Sequence, residues 1–305
     1  MTEILSLRRI LTAFTIALLL GVGSTTLCTS CSNPLTEEED FTSGTPVTFS
    51  IHSFEMQPFS ERNARNTDQK QVSRIDLGIF DEQGNKVQKV NQVSTDEDFA
   101  RPVIKLAPGS YQMVVVAHCG SGMATITSPS QVTFPNNKVT DTFAKVVKFT
   151  VGEQPKSVDI TLARVVAMVR FIFTDESIPD ELEQVKFYYT GASSTLNPST
   201  GFGSKKSRQS QIIKIKDAQK DKDGNTVFEV YTFPHDISGE LSMTVTPMDQ
   251  KEQAITSEIT LTLPIKLNHI TECHGELMEG SSTFLNNAVA INIADKWEGK
   301  LKVSF

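Results

Sequence analysis

The sequence predicts an all-β protein made of sandwiches, and three observations predict it. Apolar and polar residues alternate in one stretch after another, as in Val47, Phe49 and Ile51 against Thr48, Ser50 and His52. That two-residue period marks a half-buried strand. Turn signals such as Gly84-Asn85, Pro108-Gly109 and Gly224-Asn225 separate the stretches, and short strands spaced by roughly ten residues with turns between them suit a sandwich. Thr, Val and Ser recur, Phe reaches 18, and no amphipathic helix longer than about two turns is convincing, a usage that favours strands.

The chain opens with Arg8 and Arg9, an apolar core over 10–20 and a small-residue exit through Gly21, Gly23 and Ser24. This is the layout of a secretory signal peptide, residues 1–30. Its apolar run falls short of the roughly 20 residues that cross a bilayer. Cys31, behind the small Ser30, resembles the lipid acceptor of a bacterial lipoprotein signal. Cys28 is the poorer acceptor, because bulky Leu27 would sit at the cut, and it occupies a place where such signals usually carry Leu. Residues 31–45 form a flexible tether containing Glu37-Glu38-Glu39-Asp40. The acidic run reads either as a surface-export signal or as a solvated linker.

Strands follow over 46–54, 72–80 and 86–93, the last two joined by the turn at Asp81–Asn85. Between the first two lies a polar loop with Arg62 and Arg65. Further strands cover 103–106, 111–117 and 142–151, and the 152–156 run (Gly-Glu-Gln-Pro-Lys) is the expected hinge. It divides an N-terminal sandwich, 46–153, from a C-terminal one, 154–305. The apolar stretch 157–173 fits both periods; its β-branched and aromatic residues favour a strand. Pro179 starts a possible single helical turn. Strands over 185–190, 212–216, 226–233, 241–247, 255–263, 288–293 and 301–305 complete the pattern, with a long polar loop over 191–211.

The 305 residues carry 29 Lys+Arg against 36 Asp+Glu, a net charge of −7. Mild acidity argues against a nucleic-acid partner, which needs a concentrated basic face. Of the four cysteines, Cys28 leaves with the signal and Cys31 takes the lipid. A bridge between Cys119 and Cys273 has no local support, so free, largely buried thiols are expected.

His118-Cys119 and Cys273-His274 together offer a zinc set, but neighbours in a strand point to opposite faces, so no metal is expected. Asp221, Asp223 and Asn225 resemble the start of a calcium loop, yet Gly224 comes one place early and no Glu closes it; a type I′ turn explains them better. Gly120-Ser121-Gly122 lacks the spacing of a nucleophile elbow. Thr200-Gly-Phe-Gly203 precedes no helix and so makes no phosphate cradle. Lys205-Lys206-Ser207-Arg208 reads as a solvated loop. No cofactor motif and no catalytic constellation emerge, and a non-enzymatic protein is expected.

Several segments carry a family resemblance. Leu77-Gly-Ile-Phe-Asp81 with its turn resembles the first core hairpin of the FimB-type fimbrial subunit family of Bacteroidia, the fimbrillin-like lipoproteins of type V fimbriae. Residues 106–117 (Leu-Ala-Pro-Gly-Ser-Tyr-Gln-Met-Val-Val-Val-Ala) are similar to its Pro-Gly-x-Tyr strand pair. Residues 162–170 resemble the opening of its second domain, and Thr200-Gly-Phe202 and Ala294-Asp-Lys-Trp297 fit as well. The resemblance implies two transthyretin-like β-sandwiches in tandem, outer-membrane anchoring through lipidated Cys31, and other fimbrial subunits as partners that join by strand exchange. Val47, Phe49 and Ile51 then lie on the exchangeable strand, and Arg62 and Arg65 are candidate processing sites. The short finish at Phe305 favours an anchor or minor subunit over a stalk subunit that must donate a long strand, and a tip subunit stays open. The alternative, a surface glycan-binding lipoprotein, would use exposed aromatics such as Trp297 or Tyr188.

Overall fold

The computed structural model describes residues 44–52, 72–278, 290–292 and 299–304, all within one unit, Phe41–Phe305. Ten strands come first: β1 Thr45–His52, β2 Arg74–Phe80, β3 Lys86–Val93, β4 Val103–Leu106, β5 Gly109–His118, β6 Thr125–Ser128, β7 Gln131–Thr133, β8 Thr142–Val151, β9 Lys156–Thr161 and β10 Ala163–Arg164. Six more run from β11 Ala167–Phe173 through β12 Gln184–Thr190, β13 Leu196–Asn197, β14 Phe202–Gly203, β15 Gln209–Lys214 and β16 Gln219–Lys220. The last six are β17 Thr226–Thr232, β18 Ser238–Met248, β19 Ile259–Lys266, β20 His269–Gly275, β21 Ala290–Asn292 and β22 Gly299–Ser304. Two 3₁₀ turns, Pro135–Asn137 and Ile215–Asp217, are the described helical segments.

In the N-terminal sandwich a three-stranded sheet, β4-β1-β9, faces a five-stranded one, β10-β8-β5-β2-β3. Alternate residues of both supply its core: Val47 and Phe49 from the first, Ile75, Leu77, Met113 and Val115 from the second. In the C-terminal sandwich β16-β17-β11-β20-β22-β21 faces β15-β12-β18-β19. Its core holds Phe171, Phe173, Phe187 and Phe228, with ring centroids 5.1–5.8 Å apart. Aromatic pairs at such spacings add stability beyond the area they bury.

A third core joins the two sandwiches. The outward side chains Val114 and Val116 of β5 and Met168 of β11 pack with Leu196, Phe134 and Phe233, and a small sheet, β14-β13-β7-β6, lies in this region. Both faces of β2, β5 and β11 are therefore largely covered, which is why these strands read as continuous apolar runs rather than clean alternations. A buried ion pair of the N-terminal sandwich borders the same junction, and one hydrogen bond from its arginine crosses to the C-terminal sandwich. The Arg164 Nε donates to Asp141 Oδ1 at 2.9 Å, its guanidinium lies 4.5 Å from the Phe143 ring centre, and an Nη donates to Asn268 Oδ1.

Several expectations change. The stretch 157–173 is neither one strand nor a helix; it is three strands, β9, β10 and β11, because the chain changes sheets twice within it. The 152–156 run leads from β8 to β9, and β9 pairs with β1, so the chain leaves the N-terminal sandwich only beyond β10. Pro179 heads a hydrogen-bonded turn, Leu182 N–H to Pro179 O at 3.0 Å, and no helix. The 191–211 loop holds β13 and β14 and buries Leu196.

The Asp221 turn is not type I′, which needs positive φ at both central residues. Only Gly224 has it, at 87°, so this is a type I turn followed by a left-handed glycine. The Asp81–Asn85 turn repeats it with Gly84 at 84°, and Asp249–Gln253 repeats it again with Glu252 at 62° in the glycine's place.

Candidate functional site

β1 is the strand on which one whole sheet depends. It pairs antiparallel with β4 from Thr45↔Leu106 to Thr48↔Val103, and parallel with β9 from Val47↔Lys156 to His52↔Thr161. The Phe49 and Ile51 N–H groups extend the first ladder, donating to Pro102 O and Ala100 O at 3.0 and 2.9 Å. The Thr45 hydroxyl donates to Gly152 O at 2.7 Å. Among the described residues, β4 and β9 have no ladder partner in this sheet except β1.

The side chains complete the site. Val47 and Phe49 are fully buried and Ile51 nearly so. The Phe49 ring meets Phe149 edge-on at 5.4 Å, and Ile104, Leu106, Ile160 and Leu162 belong to the same core. Removing β1 would expose two rows of unpaired backbone groups beside an apolar trench, a ready template for another strand. Burying the three inward side chains contributes roughly 1.5–3 kcal/mol each. Such a slot accepts a strand of suitable alternation through its backbone and selects it through its pockets.

Val47, Phe49 and Ile51, predicted as one face, are brought together as such. Cys31, Arg62, Arg65 and Trp297 lie outside the described residues. Cys119 and Cys273 form no disulfide with each other; burial, with the neighbouring Glu272, pushes the Cys273 pKa up and keeps that thiol protonated.

The two histidines of the zinc set weighed above are otherwise engaged. The Gly120 N–H donates to His118 Nδ1 at 3.0 Å, so the ring proton sits on Nε2, which donates to Asp76 Oδ2 at 2.9 Å. Asp76 also accepts from Asn91 Nδ2 and the Ala124 N–H, both at 2.6 Å. His274 Nε2 lies 3.5 Å from Glu272. Among the described residues no group of three potential ligands could hold a metal ion.

The alternation placed Asp76 on the solvent face of β2, yet it is fully buried, because residues 124–126 cover that face. A buried carboxylate must be hydrogen-bonded, and this one pins the loop that covers it. Only its strand neighbours, Ile75 and Leu77, were legible in the pattern.

The other motifs close on themselves. Burial acts to raise the Asp221 pKa, but hydrogen bonds from Asn225, Asp223 and Gly224 outweigh it and hold the carboxyl below its usual range. Those bonds use the oxygens that a calcium loop would need. Lys205, Lys206 and Arg208 are exposed.

The profile of a family described as fimbrillin-A associated anchor proteins Mfa1 and Mfa2 matches residues 36–298. No curated protein matches. Similar solved structures include a fimbrial assembly protein from Parabacteroides distasonis, 12% identical with a TM-score of 0.42, covering 85% of this chain and 99% of that one. Another is the fimbrial anchor protein Mfa2 from Porphyromonas gingivalis, 13% identical with a TM-score of 0.37, covering 72% and 83%. A candidate adhesin from Bacteroides ovatus is 14% identical with a TM-score of 0.46, also covering 72% and 83%. With the profile running from ahead of β1 to the residue before β22, the chain belongs to the family of fimbrillin-A associated anchor proteins.

Proposed function

We propose that this chain anchors a surface fimbria and that the β1 slot is where fimbrial subunits exchange strands. The observation carrying this reading is the place of β1 as the link between β4 and β9. Family membership supports a location in a cell-surface fimbrium beside other subunits. In the anchor, Cys31 carries the lipid that holds the chain to the outer membrane, the 31–45 tether spaces the sandwiches from it, and β1 stays in its slot. The sandwiches divide just beyond Arg164, since β9 and β10 pair with β1 and β8.

A processed stalk or tip subunit would use the same slot differently. Cleavage after Arg62 or Arg65 would release β1 together with the lipid and admit a neighbour's strand. Mass spectrometry of the detergent-extracted mature protein separates the two. An acylated Cys31 on a chain that retains β1 is the expected result; a free N-terminus directly after Arg62 or Arg65 overturns the anchor reading.

A further inference from the structure

The four-stranded sheet of the C-terminal sandwich has one face in the core and one in solvent. Val185, Phe187 and Tyr189 of β12 point inward and are fully buried, so Lys186, Tyr188 and Thr190 take the outer face. The register lays out that face as rows. Tyr188 stands opposite Ser210 on one side and Thr244 on the other, and Thr244 stands opposite Thr260. The next row runs Thr190, Ser242, Thr262. Two adjacent rows of hydroxyls thus cross the sheet, with an aromatic ring set among them.

Two further features distinguish this face. Tyr188 is 37% exposed and Ile212 44%. They are diagonal neighbours, since Ile212 stands opposite Lys186. The charge is also unlike the rest of the chain. Residues 205–216 carry Lys205, Lys206, Arg208, Lys214 and Lys216 with no acidic residue, in a chain of net charge −7, and all five are exposed. Carboxylates flank the strip at Asp217, across the sheet at Glu258, which accepts from the Thr246 hydroxyl at 2.9 Å, and at exposed Glu240, which neighbours Ser242 on the outer face of β18. Lys214 lies on the edge strand β15, with Lys205, Lys206 and Arg208 just before that strand's exposed stretch and Lys216 just after. A lysine there guards against unwanted strand pairing, but that role calls for no exposed tyrosine or isoleucine beside it.

We infer that this face binds an acidic polysaccharide. The Tyr188 ring offers a flat apolar surface to a sugar ring, the hydroxyl rows exchange hydrogen bonds with sugar hydroxyls, and the lysines neutralise carboxylate or sulfate groups along the polymer. The inference stands whether or not the β1 slot exchanges strands.

The test uses the full chain in detergent, titrated calorimetrically at about 150 mM salt, where screening already suppresses long-range attraction. The probes are polygalacturonate as a carboxylated polymer, dextran sulfate as a sulfated one and dextran as a neutral control. Polygalacturonate is expected to bind and dextran is not. Tyr188→Ala should weaken polygalacturonate binding about tenfold, and Lys186→Gln with Lys214→Gln should weaken it further, with the thermal transition unchanged in both variants. Absence of polygalacturonate binding overturns the inference. So does retention of dextran sulfate alone with an affinity that Tyr188→Ala leaves unaltered, which would be simple ion exchange. Equal binding of dextran overturns the acidic specificity.

Discussion

β1 and β11 hold the same place in their two sandwiches and are held in opposite ways. Each is the first strand of its sandwich, antiparallel to one flanking strand (β4 or β17) and parallel to the other (β9 or β20). β1 buries only one face, leaving Thr48 and Ser50 half-exposed on the other. β11 buries both: Val169, Phe171 and Phe173 face the sandwich core, and Met168 enters the third core. On that second face Arg170 sits between Glu229 and Glu272, at 2.9 and 3.4 Å, and the two carboxylates raise its pKa against the lowering effect of burial. Only buried Val165 and Val166 separate β11 from β10, whereas the 53–73 stretch separates β1 from β2. Equal position in a sheet therefore does not mean equal hold: β1 is buried on one side and joined to β2 by a long stretch of chain, whereas β11 is buried on both sides and joined to β10 by two residues.

The sharpest way to break this contrast is to remove each strand. Cleaving the chain between β1 and β2 and washing in mild denaturant should release β1 and destabilise the N-terminal sandwich by roughly 6 kcal/mol, from the lost burial of Val47, Phe49 and Ile51. A synthetic peptide of residues 45–52 should restore the melting transition, while a peptide of residues 167–173 added to a chain lacking β11 should not. An unchanged melting temperature after loss of β1 would refute the contrast.

Next in size, Phe49→Ala and Phe171→Ala should each cost about 3–5 kcal/mol in a urea titration. Hydrogen exchange then tells them apart: the first should loosen mainly β4 and β9, the second the whole C-terminal sandwich.

The buried ion pair beside the junction is the third target. Arg164→Met strands Asp141 as a buried charge and should cost about 3–5 kcal/mol. Adding Asp141→Leu should recover most of that loss. Hydrogen exchange of the single variant should show the loss concentrated in β8 and β10, the strands at which the pair sits.

Smaller effects test the turn that both sandwiches share. Glu252→Gly places glycine where φ is 62° and should stabilise the C-terminal sandwich by about 1 kcal/mol. Gly84→Glu at the matching N-terminal turn should cost a similar amount.

The smallest effect is the acid dependence of Asp221. Its folded pKa lies below the ordinary 3.8, so its contribution is complete above that value and disappears as pH falls through the lower folded one. Because the group is largely solvated, Asp221→Asn should flatten the acid limb of the stability curve by only a few tenths of a kcal/mol.

Much of the fold was written in local pattern. The bounds 86–93, 103–106 and 142–151 match β3, β4 and β8 residue for residue, because each strand has a turn on either side. The slot face was equally legible, since Val47, Phe49 and Ile51 alternate cleanly with polar residues. What escaped depended on distant contacts. β20 carries His269, Thr271, Glu272 and His274 and shows no apolar alternation, yet it lies between β11 and β22. Its buried Glu272 is held by Arg170, 102 residues back along the chain. Asp76 escaped for the same reason, since a sequence pattern does not show that a loop some 48 residues on will cap it.

The unlike flanks of the slot have a directional consequence. One wall runs against the strand it holds and the other runs with it, so a foreign segment that keeps both ladders must enter with the same polarity as β1. A joint of that kind matches unlike surfaces, head to tail, and does not close into a symmetric pair. Units joined this way would form an open filament with distinguishable ends, growing from a base that fixes which way it points.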